Sequence, residues 1–174
     1  MDHKEIILWF EHDLYDQLQL MQILDWFAKQ DLNDVLLSII CIDRFSGIEP
    51  FYGLGQLSPD QIATLLPKRR PVTPAELQAG KSLWQAFTSP TPTDLTSELL
   101  KDLSCLPFMK SALHRFLEEY PWIQDGLNRS ERQILTLISH NQSTPGALFP
   151  AHQDLEEAPF LGDWGFWDRI SALS

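Results

Sequence analysis

A chain of 174 residues has room for one compact domain, or one domain with a small appendage. An apolar share of 44% is globular, and a formal net charge of -11 argues against non-specific nucleic-acid binding, which needs a surplus of Lys and Arg. No apolar run reaches the ~20 residues that span a bilayer, and the short run after Met1-Asp2-His3-Lys4 is too brief for a signal-peptide core, so no membrane association is expected.

The apolar run Ile6-Ile7-Leu8-Trp9-Phe10 predicts a buried strand over 5–10, and it gives way abruptly to Glu11-His12-Asp13. An amphipathic helix follows from about Asp13 to Lys29, with Asp13 as its cap and Asp16 in a capping-box-like position. Leu14, Leu18, Leu20, Met21, Leu24, Phe27 and Ala28 share one face, with Gln17 in its middle. Tyr15, Ile23 and Trp26 form an apolar stripe on the opposite face, which implies a covering segment or a partner.

Val35 to Ile42, broken only by Ser38, predicts a second strand buried on both faces, with Cys41 in its core. Cys41 and Cys105 make neither a disulfide framework nor a paired zinc motif, so the default is a reduced, cytoplasmic protein. Strand, helix and strand in this span make a right-handed βαβ unit of a parallel, Rossmann-like sheet, which brings Glu11-His12 close to Asp43-Arg44 at a common rim. Two strands leave a sheet incomplete. Further strands are expected from Ile48 to Tyr52, from a partner chain, or from upstream sequence.

From residue 58 the pattern is helical. Ser58-Pro59-Asp60-Gln61, Thr73-Pro74-Ala75-Glu76 and Thr91-Pro92-Thr93-Asp94 each order a cap, a first-turn proline and an acceptor, predicting helices over 59–66, 74–87 and 92–102. Others are predicted from Leu106-Pro107 to about Tyr120, from Asn128 to about Ser139, from Thr144-Pro145, and from Asp163 to the chain end. The organisation is therefore an α/β unit over 1–57, a helical arm over 58–126, and a three-helix module resembling a helix-turn-helix or winged helix over 127–174. That module carries Arg129, Arg132 and Arg169 against six acidic residues, which disfavours DNA recognition.

The stretch Leu8-Trp9-Phe10-Glu11-His12-Asp13-Leu14-Tyr15-Asp16-Gln17 resembles the central motif of domain-of-unknown-function family 1835. Similar stretches follow in order: Gly53-Leu54-Gly55-Gln56-Leu57, Leu66-Pro67-Lys68-Arg69-Arg70-Pro71-Val72-Thr73, Trp84-Gln85-Ala86-Phe87, Leu127 to Leu135, and Phe160-Leu161-Gly162-Asp163. The resemblance imports no established activity, although some members carry a sigma-factor-like label. Members usually have an upstream α/β segment that nothing here matches, so the resemblance implies a short member or a fragment that lacks sheet strands.

Glu11, His12, Asp13 and Asp43 are the candidate catalytic residues, as a divalent-metal site or a His–carboxylate pair for acid–base work. The plainer alternative has Asp13 capping the helix, Glu11 pairing with Arg44, and His12 bonding to backbone. Gln17, Arg44, Gly53 and Gly55 are weaker candidates for holding a cofactor or a small anionic ligand, the glycines as a phosphate cradle or as a tight turn. Lys68-Arg69-Arg70 reads as a solvated helix end or an anion contact. No nucleophile motif occurs, and the spacing of His114, His140 and His152 carries no metal motif. The leading expectation is a non-catalytic interaction or regulatory protein, with a protein partner or as a homo-oligomer. The alternative is a metal- or phosphate-dependent enzyme, and transcription-associated binding ranks third. No particular cofactor is implied.

Overall fold

A computed structural model describes residues 3–140 and 144–173. Met1 and Asp2, used in the leader reading, and Ser174, the end of the last predicted helix, lie outside the described residues. The chain is mixed α/β and divides into two compact units, Met1–Leu113 and His114–Ser174.

The first unit is organised by β1 (Glu5–Glu11), α1 (Leu14–Phe27) and β2 (Leu36–Ile42). The two strands are parallel neighbours, in register from Glu5 opposite Leu36 to Glu11 opposite Ile42. Alternation sends Leu8 and Phe10 to the face covered by α1 and Ile7 and Trp9 to the other. There Ile7 and Trp9 pack with Ile40, Phe51, Leu57 and Leu65. α1 turns Leu14, Gln17, Leu20, Met21 and Leu24 inward, while Tyr15 and Trp26 are exposed and Ile23 is half-buried.

The third strand does not come from Ile48 to Tyr52, where Phe45 and Ile48 form an isolated bridge. It is β3 (Arg70–Pro71), antiparallel to β2, in the order β1-β2-β3. The Val72 N–H donates to Leu37 O at 2.9 Å and holds this short strand in place.

α2 (Pro59–Ala63) and α3 (Pro74–Phe87) begin with the capping boxes Ser58/Gln61 and Thr73/Glu76. α3 packs along α1, and Gly80 makes this possible, because a Cβ there would collide with Leu24. Glu76 is buried under Arg70, with oxygens 2.7 and 3.0 Å from the guanidinium, which outweighs burial and lowers its carboxyl below the usual range. α4 (Thr93–Glu98) is shorter than expected and begins without a side-chain cap. α5 (Met109–Leu117) starts two residues after Pro107.

The second unit contains α6 (Arg129–Ser139), α7 (Pro145–Gln153) and α8 (Asp163–Ala172). Asn128 and Glu131 box the start of α6, and α6 packs against both α7 and α8 around Ile134, Leu148 and Phe166. A charged lattice runs through this core. Arg115 donates to both oxygens of Glu156 at 2.7 Å, to Glu119 at 2.7 Å and to Ser130 Oγ at 2.8 Å. Arg169 lies 2.6 Å from the other Glu119 oxygen. Among the described residues, no helix is long and apolar enough to cross a membrane.

Candidate functional site

The rim where β1 ends is built by three short-range demands of the backbone. Asp13 sits at the N-cap of α1, and its carboxylate accepts from Tyr15 N–H at 2.8 Å and Asp16 N–H at 3.1 Å, satisfying donors that the first turn leaves open. Asp16 does not complete a capping box; its carboxylate accepts from the Glu11 N–H. Gln17, almost wholly buried, donates from Nε2 to Glu11 O at 2.6 Å, and Cys41 Sγ lies 3.4 Å away. The last residue of β1 thus has both its amide and its carbonyl bound by side chains of α1.

The Glu11 side chain reaches into the following loop, where it accepts from Leu54 N–H. Gly53 has φ of +153°, and a Cβ there would collide with the Glu11 carboxylate, so the approach depends on glycine. Glu11, Asp13 and Asp16 each place an oxygen within 4.8 Å of the others. Burial pushes the Glu11 carboxyl up, opposed by the Leu54 N–H and reinforced by Asp16 and Asp13. Asp13 is also raised, again chiefly by burial.

The remaining candidates take other partners. Asp43 is bound by Arg44 at 2.6 and 2.9 Å, which holds its carboxyl below the ordinary range. The plainer expectation that Glu11 pairs with Arg44 is corrected here: Arg44 is spent on its sequence neighbour, and Glu11 turns to the loop. His12 lies between two rings, stacked on Phe51 at 6.5 Å and edge-on to Phe108 at 6.1 Å, and its Nδ1 is buried without a hydrogen-bond partner. The expectation that this ring bonds to backbone does not hold at Nδ1.

The glycine loop is also occupied. Tyr52 N–H and Gly53 N–H donate to Gln56 Oε1 at 2.6 and 3.3 Å, and Leu54 N–H is held by Glu11. A phosphate entering this loop must displace those acceptors and face a carboxylate. Gly55 is exposed, with no atom near its Cα face. On the α1 side of the sheet, Gln17, Ile39, Cys41, Arg70, Leu106 and Phe108 line a cavity of about 120 Å³, small beside the roughly 300–1,000 Å³ of sites for drug-sized ligands. Its Cys41 thiol is pushed up to about 11 by burial, so it is protonated at neutral pH.

Sequence reasoning placed Glu11, His12, Asp13, Asp43 and Arg44 at one rim, with Gln17 beside them. It missed Asp16 as the third clustered carboxylate, because the residue was seen only as a helix-start acceptor. Phe51, Leu54 and Phe108, which surround Glu11 and His12, lie far along the chain and carry no local signal. No family model, curated protein or solved structure gave a significant match to the chain.

Proposed function

We propose that this protein is a non-catalytic interaction or regulatory protein, built on a Rossmann-like βαβ unit and related to domain-of-unknown-function family 1835. The observation that carries the reading is the fate of the rim carboxylates. Glu11, Asp13 and Asp16 accept from backbone amides, and Asp43 is neutralised by Arg44. Groups committed in this way hold the loop, the helix start and the strand end together. Each of Glu11, Asp13 and Asp16 is anchored through one oxygen, so a general base here would have to act through the second while keeping these structural bonds.

A metal-dependent enzyme is the second reading, favoured by the approach of Glu11, Asp13 and Asp16 within 4.8 Å and by the raised carboxyls of Glu11 and Asp13. A divalent cation would relieve their repulsion. Thermal denaturation with and without Mg²⁺, Mn²⁺, Zn²⁺ and nucleotides separates the two. The interaction reading expects no shift. A ligand present at a hundred times its Kd adds about 2.7 kcal/mol, so a rise of several degrees that is abolished by Asp16→Asn would overturn it in favour of the metal site.

The winged-helix-like reading of the last three helices, and with it transcription-associated binding, ranks third. Arg129 is held by Glu118 and Glu157, Arg132 by Asp125, and Arg169 by Glu119, so the cations of this segment are already paired. Salt-sensitive retention on DNA is the measurement that would raise it.

A further inference from the structure

We infer that the outer edge of β1 is a pairing surface for a second copy of this chain, which adds antiparallel across a two-fold axis centred on Ile7. The inference deepens the interaction reading above by naming the partner. β1 is an edge strand, since the sheet order is β1-β2-β3. The Leu36 N–H donates to Lys4 O at 3.0 Å, which sets the alternation of the parallel ladder. Ile6, Leu8 and Phe10 direct their amides and carbonyls to β2, whereas Glu5, Ile7, Trp9 and Glu11 direct theirs outward.

Glu11 is closed off by Asp16 and Gln17, as its position in that alternation requires. Among the described residues, no backbone partner meets Ile7 or Trp9 on the outer side. The run from Ile6 to Phe10 carries no Pro and no charge, the devices that normally blunt an edge. Ile7 and Trp9 are moreover only partly buried against the apolar cluster on their face of the sheet. A strand added here covers their remaining surface and continues that cluster.

Register fixes where the second copy sits. A two-fold axis at Leu8 sets Glu5 directly opposite Glu11 of the second copy, placing like charges together and needing the Glu11 backbone groups that Asp16 and Gln17 occupy. An axis at Ile7 keeps the two glutamates apart and builds its ladder from Glu5, Ile7 and Trp9, without the Glu11 backbone groups. Ile7 faces Ile7, Glu5 faces Trp9, and His3 stands opposite Glu11, giving about six ladder hydrogen bonds by antiparallel alternation.

The test is molar mass by light scattering over a concentration series, with amide hydrogen exchange of the full chain. Mass rises from 20.0 kDa toward twice that value as concentration increases. Ile7→Pro removes an outward N–H while sparing the ladder to β2, and should remain monomeric. On the wild-type chain, which does not depend on the variant folding, the Ile7 and Trp9 amides gain protection with concentration while Leu8 is protected throughout. A wild-type monomer at near-millimolar concentration, or Ile7 and Trp9 amides that exchange freely when the mass has doubled, overturns the inference. Either failure leaves the ion titration to decide the reading of the rim separately.

Discussion

Arg115→Met removes the cation at the centre of the second unit's charged lattice. The Arg115 side chain is 8% exposed, and those of its partners Glu156 and Glu119 are 1% and 12%. After the substitution Glu119 keeps Arg169 and Ser130, whereas Glu156, among the described residues, keeps only Arg129 at 3.8 Å. Stranding one member of a buried pair costs about 3–5 kcal/mol, because the remaining charge has lost both water and partner. A unit of about 60 residues has a total stability of roughly 3–9 kcal/mol at ordinary values per residue, so most of it is lost. Exchange of the α6 amides reads this unit by itself, and denaturant unfolding followed by circular dichroism gives the free energy. The double variant R115M/E156L takes the orphaned carboxylate away too, and is expected to recover all but about 1 kcal/mol. A single variant within about 0.5 kcal/mol of the wild type, or a double variant no better than the single, would refute the reasoning.

His152 is wholly buried beside the Phe166 ring, at 5.1 Å between centroids, with neither ring nitrogen hydrogen-bonded. Burial lowers its pKa, with Arg115 and Arg169 adding to the shift and Glu156 and Glu119 opposing it. The unfolded chain then binds the proton more readily, so the stability contribution is complete above about pH 6.5 and falls as the pH drops toward the depressed folded value. His152→Phe should flatten that part of the stability profile, and an unchanged slope would exclude His152 as its source. Gly53→Ala forces a Cβ onto the Glu11 carboxylate at a positive φ and should cost about 1–3 kcal/mol. Faster exchange of the Leu54 amide, whose acceptor is displaced, distinguishes this from a general loss of stability; an unaltered melting temperature counts against it.

The first forty-odd residues were legible because each decision is local. Two apolar runs, a cap at Asp13 and one inward helix face can be read without knowing what they touch. The same holds for the boxes at Ser58, Thr73 and Asn128, where acceptor and donor lie within one turn. β3 was not legible, since Arg-Pro has no strand signature and its pairing with Ser38 and Ile39, extended by the Val72–Leu37 bond, lies about thirty positions away. Glu11 finds Leu54 across 43 positions, and Arg115 finds Glu156 across 41. A mid-helix arginine carries no mark of burial until its partners arrive. The strand end and helix start were therefore legible along the chain, while the bonds made there were open to the sequence only where they are short-range.

The two borders of the sheet are unlike. On the far side, Pro71 stands opposite Ser38 with its nitrogen turned away from β2, where it has no hydrogen to offer. A strand arriving there meets a missing donor in a segment only two residues long. Among the described residues the β1 border is therefore the more receptive one, and the proposed joining uses it in both molecules. A pair joined in this way would carry Pro71 at both extremities, which disfavours propagation into a fibril.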